Sequence, residues 1–320
     1  MVDEIRSLAA QVSVIVPTIG RPESLGRLLD SLVRQTAVPR EILIADASAT
    51  GDTASVASNP VWLQRGLGIR HLCVSPPNAV SQRVAAINAS RGDYLLLLDD
   101  DVELEPNCIE EMLRGMQSAP NVVAVVADIS NQRWSGPTRA WRLYMRVVLG
   151  LRDGEWEGRV VGPLLRYGFH ELRERPAMME WIGTGTTLVE RGAYDRCGGF
   201  SDFFLHRSSL NEDVDLGIKL RRQGTILFWP PAQLAHYHAA AGRESVAILA
   251  EDDVYNRFQI MRNTMAIGAV KAFFHALTYV SIETTSNIAG GLARGNFENL
   301  FARAFGRVKG LARAVISLTH

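Results

Sequence analysis

Three consecutive aspartates, Asp99, Asp100 and Asp101, follow a run of four leucines, Leu95 to Leu98. Adjacent carboxylates repel one another, and a protein core has no use for them. Two readings fit: a turn with solvated side chains, or a site for a divalent cation. Mg²⁺ and Mn²⁺ take oxygen ligands, typically one or two carboxylates completed by substrate phosphates. In extended chain, residues two apart point the same way. Asp99 and Asp101 would then share the cation, while Asp100 would reach a different group such as a sugar hydroxyl.

A second acidic group, Asn211-Glu212-Asp213-Val214-Asp215, opens a helical pattern. Acids in a first turn are favoured by the helix dipole alone. The functional alternative is that Asp213 or Glu212 is a general base, taking a proton from a hydroxyl within hydrogen-bond reach. His236-Tyr237-His238 follows Trp229-Pro230-Pro231. This pair could be structural, or could supply one metal ligand and one substrate contact, since imidazole accepts Mn²⁺ and Zn²⁺ alike. No H-E-x-x-H sequence supports a zinc protease. Asp46 ends an apolar run, and Arg83 lies on a predicted helix. These could be ordinary surface charges, or an acceptor for a pyrimidine ring N–H and a guanidinium that bridges phosphate.

Positioning such groups requires a scaffold, and the hydrophobic pattern supplies one. Strands are predicted over residues 12–16, 41–45, 69–74, 93–98 and 121–127, with helices over 21–35, 80–90 and 106–117 between them. That alternation predicts an open α/β fold, a mostly parallel sheet with helices on both sides. Such sheets bind ligands at the carboxyl ends of their strands, where Asp46 and Asp99 to Asp101 fall. Residues 134–177 keep no clear period and read as a partly helical insertion. A short helix and turn is expected over 192–200, a helix over 213–223 and a strand over 225–229. Helices follow Glu251.

Composition narrows the function classes. The 320 residues carry 34 Lys and Arg against 34 Asp and Glu, so no global field attracts nucleic acid. Cys73, Cys108 and Cys197 are scattered and odd in number, arguing against a disulfide framework or a cysteine zinc site. The N-terminus lacks the basic start and apolar run of a signal peptide. The apolar stretch 264–282 is interrupted by Lys271 and His275, a poor spanning segment. A cytoplasmic protein is expected, with peripheral contact at the inner face of the plasma membrane as the variant. That contact would come from the C-terminal helices, where basic residues alternate with Leu292, Phe297, Leu300, Phe301, Phe305, Val308 and Leu311. They would either lie on an anionic membrane or pack against the catalytic domain or a partner subunit.

In order along the chain stand Val12-Ser-Val-Ile-Val-Pro-Thr18, Ile42-Leu-Ile-Ala-Asp-Ala-Ser48, Leu97-Leu-Asp-Asp-Asp-Val-Glu-Leu104, Gly198-Gly-Phe200 and Glu212-Asp-Val-Asp-Leu-Gly-Ile-Lys-Leu220. As an ordered set they resemble the family 2 glycosyltransferases, inverting nucleotide-sugar enzymes of GT-A fold. The resemblance spans Val12 to His238. It implies a GT-A catalytic domain over 1–250, with a donor half at 12–130 and an acceptor half at 131–250. Residues 251–320 form a C-terminal helical extension. Asp99 to Asp101 match the D-x-D motif: the last aspartate meets Mn²⁺ or Mg²⁺, the earlier ones the ribose and sugar. Asp46 matches the base-reading aspartate, with Pro17 and Thr18 in its pocket and Arg83 near base and phosphates. Asp213 matches the catalytic base of the Glu212-Asp213 pair, and His236 or His238 a histidine near the diphosphate. Trp181, Gly183 and Thr184 fall on the acceptor side.

The implied reaction moves a sugar from a UDP- or dTDP-sugar to a hydroxyl of a glycan or lipid-linked acceptor. Ala45 replaces a second acidic residue frequent in relatives, Glu190 replaces an arginine, and the stretch from Phe200 to Glu212 is longer than usual. The later two differences, on the acceptor side, leave acceptor identity open. Two rivals fit less well. A sugar nucleotidyltransferase would carry a glycine-rich loop with lysine, unlike Pro17-Thr-Ile-Gly-Arg21. A non-catalytic sugar- or partner-binding module would have lost the acidic motifs.

Overall fold

The structure, a computed structural model, describes residues 2–132, 136–152, 154–161, 166–167, 175–205, 209–237, 245–295 and 299–318. The first half alternates as its pattern predicts, with short elements added that the pattern does not announce. It runs α1 (Val2–Ala9), β1 (Val12–Thr18), α2 (Pro22–Val33), β2 (Glu41–Asp46), α3 (Asp52–Ala57), α4 (Val61–Gln64), β3 (Ile69–Cys73), α5 (Ala79–Ala89), β4 (Tyr94–Leu98), β5 (Val102–Leu104), α6 (Cys108–Gln117) and β6 (Val122–Ile129). Those additions are α1, α3, α4 and β5. There follow α7 (Arg139–Val147), β7 (Val160–Val161), β8 (Arg166–Tyr167), β9 (Ala177–Met179), β10 (Thr186–Glu190), α8 (Arg191–Arg196), α9 (Glu212–Leu220) and β11 (Thr225–His236). Three helices close the chain: α10 (Val246–Gln259), α11 (Ala269–Arg294) and α12 (Leu300–Ile316).

One sheet has the order β3-β2-β1-β4-β10-β6-β11-β5, with β9 paired to β11. β3, β2, β1, β4, β6 and β11 run one way, whereas β10, β5 and β9 run against them. The sheet is mostly parallel, as expected. The antiparallel β10 at its centre is the departure. Gly183-Thr-Gly-Thr-Thr187 has the small residues of a loop, but Thr186 and Thr187 already belong to β10, between β4 and β6. Five residues behind a glycine turn are too short to announce a strand by period. Burial from both neighbours decides it.

The leucine run explains its own composition. Leu95 and Leu97 join the apolar layer holding Val80, Ile87 and Val189, and Leu96 and Leu98 the opposite layer holding Leu25, Leu28 and Met112. All four are fully buried, each contributing about 1.5–3 kcal/mol relative to exposure. At the carboxyl end of the sheet, buried Gln82 donates from Nε2 to Thr18 O (2.8 Å) and Ala45 O (2.7 Å), tying the ends of β1 and β2 together.

β11 outruns its prediction. A strand ending at Trp229 was expected because Pro230 and Pro231 follow, yet β11 continues to His236. The register with β6 shifts between Trp229 and Gln233, so the prolines occupy an irregularity where a missing N–H is tolerated. The continuation pairs with β5, His236 facing Val102.

Trp141, Met145, Tyr279 and Val280 form a third, smaller core beneath α7 and α11. Residue 250, where sequence divides catalytic domain from extension, falls inside α10. Among the described residues, no helix is long and apolar enough to cross a membrane.

Candidate active site

The aspartates leave β4 and turn into β5, which aims them differently. Asp100 points inward and is buried: Thr18 Oγ1 donates to its Oδ2 at 2.6 Å, and Arg21 Nη1 to its Oδ1 at 3.0 Å. Burial pushes the Asp100 carboxyl up to about 6, against the opposing pull of Thr18 and Arg21. Partly exposed Asp99 and buried Asp101 bring their carboxylates together on the other side. The hydrogen bond from Tyr237 N to Asp101 O (2.9 Å) fixes the end of β11 beside them. His236 Nε2 then lies 2.9 Å from Asp101 Oδ1.

Ligand atoms of Asp99, Asp101 and His236 lie within 4.8 Å of one another. Two carboxylates and an imidazole suit Mn²⁺, and the carboxylates alone suit Mg²⁺. Burial opposes a charged His236 imidazole. The Asp101 hydrogen bond and the surrounding aspartates outweigh that and raise its pKa. His238, the other histidine of the pair, lies outside the described residues.

Arg83, on α5, connects this cluster to the second acidic group. Its Nη2 meets Asp99 Oδ1 at 2.5 Å and its Nη1 meets Glu212 Oε1 at 3.4 Å. Thr184 Oγ1 donates to the same Glu212 oxygen at 2.9 Å. The Nε of Arg83 is buried with no hydrogen-bond partner among the described residues. The three acids of the α9 motif divide. Glu212 and Asp213 open the helix, whereas fully buried Asp215 accepts from Ser201 Oγ (2.7 Å) and Thr264 Oγ1, bracing α9 from behind.

The Asp213 carboxylate accepts from Val214 N at 2.8 Å. Burial raises the pKa of both carboxylates. For Glu212 the Asp213 charge adds to burial, against the pull of Arg83 and Thr184; for Asp213 the Val214 N–H and the Arg83 and Arg257 charges pull back.

Other predicted residues have plainer surroundings. Asp46 accepts from Ser48 N (2.8 Å) and Ser48 Oγ and lies 3.1 Å from His71 Nε2, without a bond to the aspartate cluster among the described residues. Pro17 pairs with Ala45 across β1 and β2. Trp181 is buried, its Cα where a Cβ on Gly217 of α9 would come within 2.5 Å. Gly183 O accepts from Thr187 Oγ1 at 2.7 Å, closing the turn into β10.

Three contributors escaped the sequence. Arg21, in the loop after β1, holds Asp100 and lies 3.9 Å from Asp101. In sequence it is only an arginine beside the loop that follows the first strand. Gly185 abuts Asp99: a Cβ there would lie 2.4 Å from Asp99 Oδ2. The third is a network behind Asp213. Asn211, at φ 70°, precedes α9 and donates from Nδ2 to Asp253 Oδ1 at 3.0 Å. Buried Arg257 reaches Asp253 Oδ1 (2.9 Å) and Asn211 Oδ1 (3.3 Å) and lies over the Tyr279 ring at 4.3 Å.

Comparison with known proteins identifies the class. The sequence model described as glycosyl transferase family 2 matches residues 13–171, and the chain belongs to that family. It is 26% identical over 258 residues to N-acetylglucosaminyl-diphospho-decaprenol L-rhamnosyltransferase of Mycobacterium tuberculosis, covering 74% of this chain and 80% of that one. It is 25% identical over 251 residues to the O-antigen biosynthesis protein RfbC of Myxococcus xanthus, covering 76% of this chain but 18% of the relative. The fold resembles the mannosyltransferase PcManGT from Pyrobaculum calidifontis, solved with GDP-Man and Mn²⁺ (TM-score 0.55, 14% identity, 96% of this chain and 86% of that one). It equally resembles residues 1–349 of TarS from S. aureus (TM-score 0.55, 14% identity, 96% and 83%). The architecture is thus the GT-A fold of glycosyltransferases.

Proposed function

We propose that this chain is an inverting, metal-dependent glycosyltransferase. It moves a sugar from a UDP- or dTDP-linked donor to a hydroxyl of a glycan or lipid-linked acceptor. The observation that carries the reading is the Arg83 bridge, one guanidinium between the Asp99/Asp101/His236 cluster and the Glu212-Asp213 pair. The decaprenol-linked name of the mycobacterial relative favours a lipid-linked acceptor and a hexose or deoxyhexose donor.

Asp99, Asp101 and His236 would hold Mn²⁺ or Mg²⁺, which supplies Lewis-acid neutralisation of the leaving diphosphate. Arg83, with an unmet Nε donor, is suited to bridging phosphate oxygens. Asp46 would read the base, Pro17 and Thr18 lining its pocket. Thr18 and Arg21 hold Asp100 inward, so its part is to fix the turn that displays Asp99 and Asp101. Trp181, Gly183 and Thr184 would shape the acceptor side.

Asp213 would take the proton of the acceptor hydroxyl, its raised pKa making it a stronger base than an exposed aspartate. The acceptor oxygen forms its bond to the anomeric carbon as the bond to the diphosphate breaks on the opposite face. One such displacement inverts the configuration.

Calorimetry with UDP, dTDP, GDP and CDP, each with Mn²⁺, Mg²⁺ or chelator, tests the donor half. UDP or dTDP should bind only with metal. Asp213→Asn should keep that binding and lose about 10²- to 10⁴-fold in transfer. Metal-independent binding together with undiminished transfer by Asp213→Asn would overturn the reading.

A further inference from the structure

α12 is amphipathic but mounted with its large apolar residues outward. Gly306, Gly310 and Ala314, spaced by four, form its buried face. A Cβ on Gly306 would lie 2.2 Å from Ala247 O, and one on Gly310 2.5 Å from Glu251 O. Backbone contact with α10 therefore requires the small residues on that side. Phe301, Phe305 and Val308 are 84%, 60% and 61% exposed. With exposed Val315 their spacing of four, three and seven aligns them in one stripe.

α11 repeats the arrangement. Val270, Phe274, Leu277, Ile288 and Leu292 are exposed, and their spacing places them along one face of a 26-residue helix. α7, whose Trp141 Nε1 donates to Glu283 of α11 at 2.5 Å, exposes Leu143, Val147 and Val148. A monomer in water seldom carries so much apolar surface without a partner.

Charge selects the partner. α12 contains Arg303, Arg307, Lys309 and Arg313 and no acidic residue, and α7 contains Arg139, Arg142 and Arg146 and no acidic residue. The whole chain is neutral, so this cation excess is local. Arg307 and Arg313 pair with Glu283 and with Glu251 and Asp252. Lys309 is exposed beside the stripe, its Nζ 4.7 Å over the Phe305 ring, whereas exposed Arg303, two residues from both Phe301 and Phe305, turns away from it. A second copy would bring the same cation to the same stripe. An anionic lipid surface accepts both the apolar stripe and the Lys309 cation beside it.

We propose that α11 and α12, with α7, form a peripheral docking surface for an anionic bilayer. The helices lie on the membrane, with Phe301, Phe305 and Val308 among the inserting side chains. This surface stands independently of the transferase reading.

Flotation of the full chain with vesicles of phosphatidylcholine, with and without phosphatidylglycerol, tests it. Binding should require the anionic lipid and weaken with salt. Phe301→Ser/Phe305→Ser should lower partitioning about tenfold or more, and Lys309→Glu about fivefold or more, with melting temperatures unchanged. Leu63→Ser, removing an exposed leucine of α4, should leave binding intact. Failure to bind anionic vesicles at low salt would overturn the proposal. So would equal binding to neutral vesicles, or a dimer in sedimentation that Phe301→Ser/Phe305→Ser dissolves while vesicle binding stays absent.

Discussion

Gly185 offers a test of the metal site that touches no proposed ligand chemically. In Gly185→Ala the new Cβ would lie 2.4 Å from Asp99 Oδ2 and 2.7 Å from its Cγ, where real contacts essentially never fall under 3.0 Å. The difference, 3.0 minus 2.4, requires the carboxylate to retreat by about 0.6 Å. The Asp99 side chain is 33% exposed and can swing outward, so the fold should survive with little change in melting temperature. The swing breaks the 2.5 Å contact with Arg83 Nη2 and spreads the ligand cluster. A misplacement approaching 1 Å costs about a hundredfold in rate, so kcat/KM and Mn²⁺ affinity should each fall between about tenfold and a hundredfold. Calorimetry with Mn²⁺, the transfer rate and thermal unfolding read the three quantities separately. Gly26→Ala, on α2 with nothing within 4 Å of the added Cβ, is the control and should be neutral or slightly stabilising. Mn²⁺ affinity and kcat/KM within threefold of wild type in Gly185→Ala would refute the assignment of Asp99 to the cation.

Two further outcomes follow from the acids of α9 and their supports. As the proposed base Asp213 must be ionised, and burial raises its pKa, so the acidic limb of the kcat/KM profile should lie above the ordinary aspartate value of about 3.9. Activity should fall about tenfold per pH unit below that limb, and a limb at the ordinary value would count against Asp213 as the base. Arg257→Gln removes a charge that favours ionised Asp213. The limb should move further up and kcat drop, with Arg257→Lys restoring the limb in part. A purely structural Arg257 would instead lower the melting temperature and leave the limb in place.

The donor half was legible because its signals are local. All its strands but the three-residue β5 announced themselves by an apolar run, and Asp46 and Asp99 to Asp101 stand where those runs stop. The same logic failed at β11. Pro230 and Pro231 marked an end by their missing N–H groups, while the irregularity between Trp229 and Gln233 let the strand continue. That continuation distinguishes His236, paired opposite Val102 and so next to Asp101. Alternation within His236-Tyr237-His238 could not have chosen between two residues that point the same way. β10 failed for a different reason. Its place between β4 and β6 depends on partners 61 to 96 residues away, and nothing in Thr186 to Glu190 encodes them.

The contacts that matter most to the proposed chemistry are likewise long-range, and they change how the C-terminal helices should be understood. In sequence these helices read as an appendage with a basic face. In the structure α10 reaches the first turn of α9 directly. Asn211 takes a left-handed conformation and makes no side-chain cap to its own helix. Its amide is committed instead to Asp253 and Arg257, and Asn256 Nδ2 holds Leu210 O at 2.9 Å. Tyr279 of α11 donates to Asp253 Oδ2 at 2.6 Å, bringing the longest helix into the same network. The entry to α9, and with it the placement of Glu212 and Asp213, is therefore set by α10 and α11. α11 turns an apolar stripe outward, and α10 carries α12, which does the same. Deleting the C-terminal helices to obtain a minimal catalytic domain would remove Arg257, Asp253 and Tyr279 from behind the proposed base. The buried Asn211 would be left without its partners, which costs roughly 1–3 kcal/mol for each unmet group. The first turn of α9 would then be free to rotate away from Arg83. On this geometry the proposed membrane surface and the support of the proposed base both rest on the helices α10 and α11.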